Sequence, residues 1–337
     1  NARRVALAAG LPTRVPAFTV NRLCGSGLQA IWSGAQELRW GGVDVVVAGG
    51  DESMSRTPFL EYGARGNARL GDRTLLDGTL AILTDPFSGR HMGTTAETVA
   101  SHYSVSREEQ DAFAVESQRR AALDASRAAF AEEIVPVTTG GKRPVEVMTD
   151  EHPRPGTTLE VLAGLRPAFA AEGSVTAGNS SAISDGAAAI VLADEETAET
   201  LERAIAFRAR RHANDVLAIS RRDPTEFAGA RTAWAKALEE AGLTLDDLDL
   251  VETHDCFTIA EMIEYEAMGL AKRGEGYKVV REGITRKDGR LPVNPSGGLK
   301  SKGHPSGATG VSMHVMAAMQ LMGEAGDMQI KDARTAG

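Results

Sequence analysis

The sequence predicts an α/β protein built from two halves alike in the order of their elements, with a large insertion in the first half. Three observations predict it. A strand, tight turn, helix and strand follow one another from Ala17 to Ala48; a strand leading into a helix recurs from Leu248; and residues 51–172 between them are rich in glycine and arginine with few strand signals. At 337 residues the chain can form one large or two medium domains, each with its own core.

In chain order, Ala17–Val20 reads as a short strand after Pro16, buried between neighbours. Gly25-Ser26-Gly27 makes a turn, and Leu28–Trp40 carries apolar residues at helical spacing through Leu28, Ile31, Ala35 and Leu38. Gly41-Gly42 ends that helix. Val43–Ala48 is nearly all apolar, as expected of a parallel strand covered on both faces. In the insertion, one helix runs from Ser106 to about Ala131, opened by a capping box between Ser106 and Glu109. Asp185-Gly186 then turns into a strand over Ala187–Leu192.

The second half repeats this outline. A helix spans Pro224–Ala241 and stops at Gly242; Leu248–Thr253 is a strand; Thr258–Met268 is a helix with Thr258 and Glu261 placed as a capping box, and Gly269 ends it. A hairpin-like segment around Asp288-Gly289 precedes a glycine-rich turn and a helix from Ser306 to about Leu321. The order of elements, not the residues themselves, repeats, which suggests an internal pseudo-twofold. The division falls into residues 1–193, holding the insertion of about 51–172, and residues 194–337.

Composition excludes several functions. The formal net charge of −9 argues against a general nucleic-acid binder or a protein of anionic membranes. No run of eighteen apolar residues exists, so no membrane-spanning helix is expected. The start, Asn1-Ala2-Arg3-Arg4, reads as neither a signal peptide nor an initiator methionine. The two cysteines, Cys24 and Cys256, cannot make a disulfide framework, and a reducing cytoplasm is the expected compartment.

Both cysteines fall where chemistry is commonly found. Cys24 lies between strand and helix in Asn21-Arg22-Leu23-Cys24-Gly25-Ser26-Gly27. Exposed amides at a helix N-terminus favour the thiolate, so its pKa is expected to be lowered. The glycines let a substrate carbonyl approach backbone N–H groups that can stabilise an oxyanion. The bland alternative is a buried structural cysteine. Cys256 has the same relative place in the second half, in His254-Asp255-Cys256-Phe257 at the C-terminal end of a strand, a common location for α/β sites. Its bland alternative is a capping aspartate beside a packed cysteine and a solvated histidine. Third, Gly303-His304-Pro305-Ser306-Gly307-Ala308-Thr309-Gly310, preceded by Asn294-Pro295-Ser296-Gly297-Gly298-Leu299, sets a histidine before a helix as a base for a thiol.

Together these strings resemble those of the thiolase superfamily over essentially the whole chain. Cys-Gly-Ser-Gly resembles its nucleophile motif and Gly-His-Pro the motif of its activating histidine. His91-Met92-Gly93-Thr94-Thr95-Ala96-Glu97 and Val175-Thr176-Ala177-Gly178-Asn179-Ser180-Ser181 are also similar to the family's. Most thiolases carry Asn-Glu-Ala-Phe where this chain has His254-Asp255-Cys256-Phe257, a string that resembles the sterol-carrier-protein-linked branch. Ordinary members take an acid/base cysteine from a Cys-x-Gly motif near the C-terminus. No such cysteine occurs here, and the resemblance implies that Cys256 takes that role.

The resemblance implies a thiolase-like fold with a loop domain, and acyl transfer between 3-ketoacyl-CoA and CoA in either direction. Cys24 would take the acyl group, His304 would activate it, Cys256 would move the second proton, and His254 with His304 would polarise the thioester oxygen. The Cys24 N–H would serve a second oxyanion hole. His91, Arg154, Leu165 and Ser181 would contact CoA, with Phe257 lining the acyl end. Arg154 is also the choice from charge alone, since the insertion must supply a cation for a phosphorylated ligand. CoA is then a substrate, and no metal or redox cofactor is implied. A homodimer or homotetramer is expected, in the cytoplasm or, in a eukaryote, the peroxisome. The resemblance further implies that the family's chains extend beyond both ends of this one, with a strand and helix before Asn1 and a glycine-rich strand after Gly337. Two other readings compete: a ketoacyl-synthase-type condensing enzyme using Cys24, His254 and His304, which has no need of Cys256, and a non-catalytic acyl-CoA-binding relic.

Overall fold

A computed structural model describes residues 1–66 and 70–337; residues 67–69 of the expected insertion lie outside the described set. In chain order, α1 (Ala2–Ala8) and α2 (Ser26–Trp40) precede β1 (Val45–Ser53). The next stretch holds short strands β2 (Phe59–Leu60) and β3 (Leu76–Asp77), helices α3 (Gly78–Ile82), α4 (Met92–His102), α5 (Arg107–Ala122) and α6 (Asp124–Glu133), strands β4 (Val137–Thr138) and β5 (Glu146–Val147), and α7 (Leu159–Ala163). Then come β6 (Asp185–Ala193), α8 (Glu195–Glu199), α9 (Ala228–Ala241), α10 (Thr258–Met268), α11 (Gly276–Arg281), α12 (Gly298–Lys302) and α13 (Thr309–Met322).

The strand from Val45 is not parallel. β1 pairs antiparallel with β6 in continuous register, from Val45 opposite Ala193 to Ser53 opposite Asp185. Helices α2 and α13 cover one face, where Ile31, Ala48, Leu192 and Val311 form a cluster. Gly34 lets α2 settle onto the sheet, because a Cβ there would come within 2.9 Å of Leu192 and 3.1 Å of Val46. The other face is open, with Val45, Val47 and Val191 exposed. An all-apolar run satisfies the two-sided pattern as well as the one-sided one, so the sequence could not tell them apart.

The strand expected at Ala17–Val20 is absent: this segment is irregular, and Phe18 is exposed. Thr19 instead accepts hydrogen bonds through Oγ1 from the Asn1 amine and the Ala2 N–H, each at 3.0 Å. The long helix expected from Ser106 is two helices, because Leu123 turns to ψ 138° between α5 and α6. Its capping box forms as expected, with Glu109 and Ser106 bonded reciprocally.

In the second half α9 starts later than expected, since Asp223 draws the Thr225 N–H and hydroxyl into a local turn. Leu248–Thr253 contributes isolated parallel bridges rather than a long strand, Leu250 with Ala336 and Val251 with Val293. Leu248, Val251 and Val293 are buried in a core with Tyr265, Met268, Val279 and Leu291. α10 has the expected limits and ends at Gly269 with φ 91°. Its capping box does not form: Glu261 bonds Tyr265 and Asn294, leaving the buried Thr258 hydroxyl without a partner. The segment before Asp288-Gly289 is helical, as α11, not one arm of a hairpin. A further cluster of Ala96, Val99, Ala100, Val105, Val175, Ile259, Met262 and Ile263 packs α4 against α10.

Candidate active site

Three turns converge at one end of these elements. Cys24 lies two residues before α2, in a turn where Asn21 Oδ1 accepts from the Leu23 N–H at 3.0 Å and Leu23 takes φ 49°. The Arg22 N–H donates to Ser26 Oγ at 2.8 Å, which closes the turn onto the helix start. α2 then meets α13 at two glycines: a Cβ on Gly27 would lie 2.7 Å from Val311 N, and one on Gly310 2.5 Å from Leu28 N. This close approach brings the thiol to the turn that carries His304.

His304 is buried and held from both sides. Its backbone N–H donates to Ser184 Oγ at 2.9 Å, and its ring Nδ1 lies 2.6 Å from Thr309 Oγ1. The Thr309 hydroxyl donates its own proton to the Pro305 carbonyl at 3.2 Å. It can therefore only accept from the imidazole, which fixes the proton on Nδ1 and leaves the Nε2 lone pair free.

His254 is set by a buried carboxyl. Glu264 accepts from the His254 N–H at 3.0 Å and from the Thr253 hydroxyl. Asp255 reaches the other way, accepting from the Leu299 and Lys300 N–H groups at 2.7 and 3.1 Å. That clamp, at the start of α12, ties the His254 string to the His304 string. Gly298, with φ 70°, lies against the Asp255 carboxylate, where a side chain has no room. Asn294, with φ 47°, braces the same strand end, accepting from the Thr253 N–H at 2.9 Å.

The outcome is a compact cluster. The Cys24 sulfur and one ring nitrogen each from His254 and His304 all lie within 4.8 Å of one another. The two imidazoles meet edge to face, with centroids 4.7 Å apart and planes at 85°.

Burial dominates the electrostatics. It pushes the Cys24 thiol up, with a smaller upward push from Glu52, against the opposing Ser306 hydroxyl and the local backbone. This reverses the direction expected from the helix N-terminus, because desolvation of a thiolate outweighs the partial charges of a few amides. Burial also pushes His254 down to about 4, and burial with the neighbouring His254 pushes His304 down to about 3. Cys256 is raised well above the ordinary thiol value by burial, then by Cys24, Glu264 and Asp255. Near neutral pH the cluster is thus two thiols and two neutral imidazoles, suited to passing protons rather than storing a thiolate.

The residues expected at CoA fall into two neighbourhoods. His91 caps α4, its Nδ1 accepting from the Gly93 N–H at 3.0 Å. Its ring stacks on Phe169 with centroids 4.8 Å apart, and Phe169 meets Phe257 edge-on at 6.0 Å. Ser181 joins this group through its N–H, which donates to the Cys256 carbonyl at 2.9 Å, and Leu165 packs over Gly178. Arg154 lies elsewhere, its charge acting on His152 and Lys300. Among the described residues it shares no hydrogen bond or ring contact with His91 or Phe257.

Sequence reasoning missed Thr309, Ser184, Glu264 and Phe169, and saw Asp255 only as a cap. Thr309 and Asp255 were in strings already singled out.

Comparison with known proteins decides the family. The family model for the thiolase N-terminal domain matches residues 1–196, and that for the thiolase C-terminal domain-like region matches residues 211–337. The chain belongs to the thiolase family. This thiolase is 41% identical over 325 residues to the acetyl-CoA acetyltransferase of Pseudomonas aeruginosa, covering 95% of this chain and 77% of that one. It is 42% identical over 322 residues to beta-ketothiolase BktB of Cupriavidus necator, with 95% and 76% covered. Among solved structures, acetyl-CoA acetyltransferase of Bacillus anthracis superposes with a TM-score of 0.80 at 35% identity, covering 95% of this chain and 76% of the other. Human mitochondrial 3-ketoacyl-CoA thiolase gives 0.77 at 34% identity, with 96% and 77% covered. The protein is an acyltransferase enzyme with the thiolase fold. No helix among the described residues is long and apolar enough to cross a membrane.

Proposed function

We propose that this thiolase cleaves 3-ketoacyl-CoA with CoA, and runs the reverse Claisen condensation, through an acyl group carried on Cys24. The single observation that carries the reading is the meeting of the Cys24 sulfur, His254 and His304 within 4.8 Å, with Cys256 close enough for its thiol to feel Cys24.

In the cleavage direction, His304 Nε2 takes the Cys24 proton as the sulfur attacks C3 of the ketoacyl chain. The C2–C3 bond breaks, and the electron pair passes to C2 as an enolate whose oxygen faces His254 and the His304 imidazolium. The Cys256 thiol gives C2 its proton, releasing acetyl-CoA. The Cys256 thiolate then takes the proton of the incoming CoA thiol, whose sulfur attacks the acyl group. The shortened acyl-CoA leaves, and His304 returns its proton to Cys24. The Cys24 N–H serves the tetrahedral intermediates formed on the acyl carbonyl. A second thiol near enough to Cys24 to feel its charge favours this chemistry over decarboxylative condensation, which needs none.

CoA is a substrate here, and the four side chains carry the chemistry without a metal or redox group. His91, Phe257, Ser181 and Leu165 would line the pantetheine and acyl path, and Arg154 would meet the nucleotide phosphates. We assign residues 1–193, with the insertion of about 51–172, to the first thiolase half and residues 194–337 to the second. A homodimer or homotetramer in a reducing compartment, cytoplasmic or peroxisomal, serving fatty-acid metabolism completes the proposal. The test is steady-state thiolysis of acetoacetyl-CoA. Consumption of CoA with formation of two acetyl-CoA supports it, and activity only with malonyl thioesters contradicts it.

A further inference from the structure

We infer that the catalytic cluster is also a reversible binding site for a thiophilic divalent cation such as Zn²⁺, held by Cys24 Sγ, His254 and the Nε2 of His304. The inference rests on reading this cluster as the catalytic centre, because its consequence is to withhold Cys24 from acylation.

The donor set is the first argument. One sulfur and two imidazole nitrogens suit zinc and its neighbours and exclude magnesium and calcium, which prefer oxygen. The second argument is spacing. Tetrahedral zinc, with bonds of about 2.0–2.3 Å, wants ligand atoms about 3.3–3.6 Å apart. The three atoms here already lie within 4.8 Å, so modest rotations of Cys24 and His254 close the gap.

The third argument is independent of both. Metal-binding histidines usually hand their second ring proton to a fixed acceptor, which orients the ring and fixes its tautomer. His304 does so: Nδ1 is committed to Thr309 Oγ1 at 2.6 Å, and that hydroxyl is committed to the Pro305 carbonyl. Access is available, since Cys24 and His254 are only partly buried. Binding replaces the Cys24 S–H with a sulfur–metal bond and releases one proton to solvent. Water fills the fourth position. A sulfur bound to the metal is a weaker nucleophile than a free thiolate and is blocked by the ion on its reactive side, so the ion acts as a brake on acylation and as protection for the thiol.

The experiment titrates chelator-treated protein with CoCl₂ and follows the absorption spectrum. The expected result is one equivalent of cobalt, a near-ultraviolet sulfur-to-cobalt charge-transfer band and visible bands of a tetrahedral ion, all displaced by Zn²⁺. Cys24→Ala should abolish the charge-transfer band, His254→Ala should weaken binding at least tenfold, and prior acetylation of the enzyme should block it. Absence of the band, or a band that survives Cys24→Ala, overturns the inference. Acetoacetyl-CoA thiolysis measured with chelator present separates the two readings. Full turnover without cobalt binding removes the metal site and leaves the thiolase reading standing; cobalt binding through Cys24 without turnover does the reverse.

Discussion

Gly27 and Gly310 touch backbone to backbone where α2 crosses α13. Each would drive a Cβ into the other helix, to within 2.7 Å of Val311 N from Gly27 and 2.5 Å of Leu28 N from Gly310. The turns just ahead of these two glycines carry Cys24 and His304, the proposed nucleophile and its base, so the crossing sets their separation. Gly27→Ala should cost about 1–3 kcal/mol of stability through overpacking. It should also slow Cys24 acylation. Thermal unfolding and the rate of acetyl-enzyme formation check both parts; a stable, fully active variant would mean that the crossing does not set the site.

Thr309 holds the His304 tautomer, and that role predicts a selective defect. Thr309→Val removes the acceptor for Nδ1–H, and turnover should fall about ten- to a hundredfold, the usual cost of losing a group that orients a histidine. KM for the acyl-CoA should change little. Thr309→Ser keeps the hydroxyl and should restore most of the rate. Equal loss in both variants would point to packing of the threonine methyl instead.

Stability should fall on both sides of neutrality, for opposite reasons. The folded-state pKa values of His254 and His304 are depressed, to about 4 and about 3. The unfolded chain therefore binds their protons first as pH falls from about 6.5, and stability is lost progressively down to those values, by about 3 kcal/mol for His254 alone. Glu264 is shifted the other way, up to about 8 by burial. Its contribution is present below the ordinary carboxyl range, near pH 4.5, and is lost as pH rises towards 8. Glu264→Gln should consequently lose less stability than wild type between pH 6 and 9, and should fall more steeply on the acid side, where it lacks the gain that Glu264 gives as pH drops towards 4.5. Unfolding midpoints across that range give the comparison, and parallel curves on the alkaline side would show that Glu264 is not the titrating group.

Arg154 stands apart from the His91–Phe169–Phe257 stack, with its charge beside His152 and Lys300. If it meets CoA phosphates, Arg154→Ala should raise KM for CoA about tenfold, the order expected for losing one charge-assisted contact. The rate at saturation should stay the same. An unchanged KM would remove Arg154 from the CoA site.

What the sequence made legible was local. The limits of α10, its stop at Gly269 and the Ser106–Glu109 capping box depend on neighbours within a turn or two. The Cys24, His254 and His304 strings were readable as well, through their glycines and their place between elements. What stayed hidden depended on distant residues. The antiparallel pairing of β1 needs β6, and the irregular course of Ala17–Val20 follows from Asn1 and Ala2 bonding Thr19. Glu261 left its cap for Asn294, 33 positions away. The direction of the Cys24 shift was misjudged because the helix start is visible in the sequence while burial, its largest cause, is not.

The central claim is that Cys24 carries the acyl group while Cys256 only moves protons. Intact-protein mass after mixing with acetyl-CoA, alongside turnover of acetoacetyl-CoA, tests it most directly. Cys24→Ser should show no added acetyl mass, since a serine hydroxyl is far less nucleophilic than sulfur. Cys256→Ala should still take up one acetyl group, with turnover lowered by about 10²–10⁴, the usual contribution of a general acid–base group. An acetylated Cys24→Ser together with an unacetylated Cys256→Ala would contradict the account outright, by giving the two cysteines each other's part.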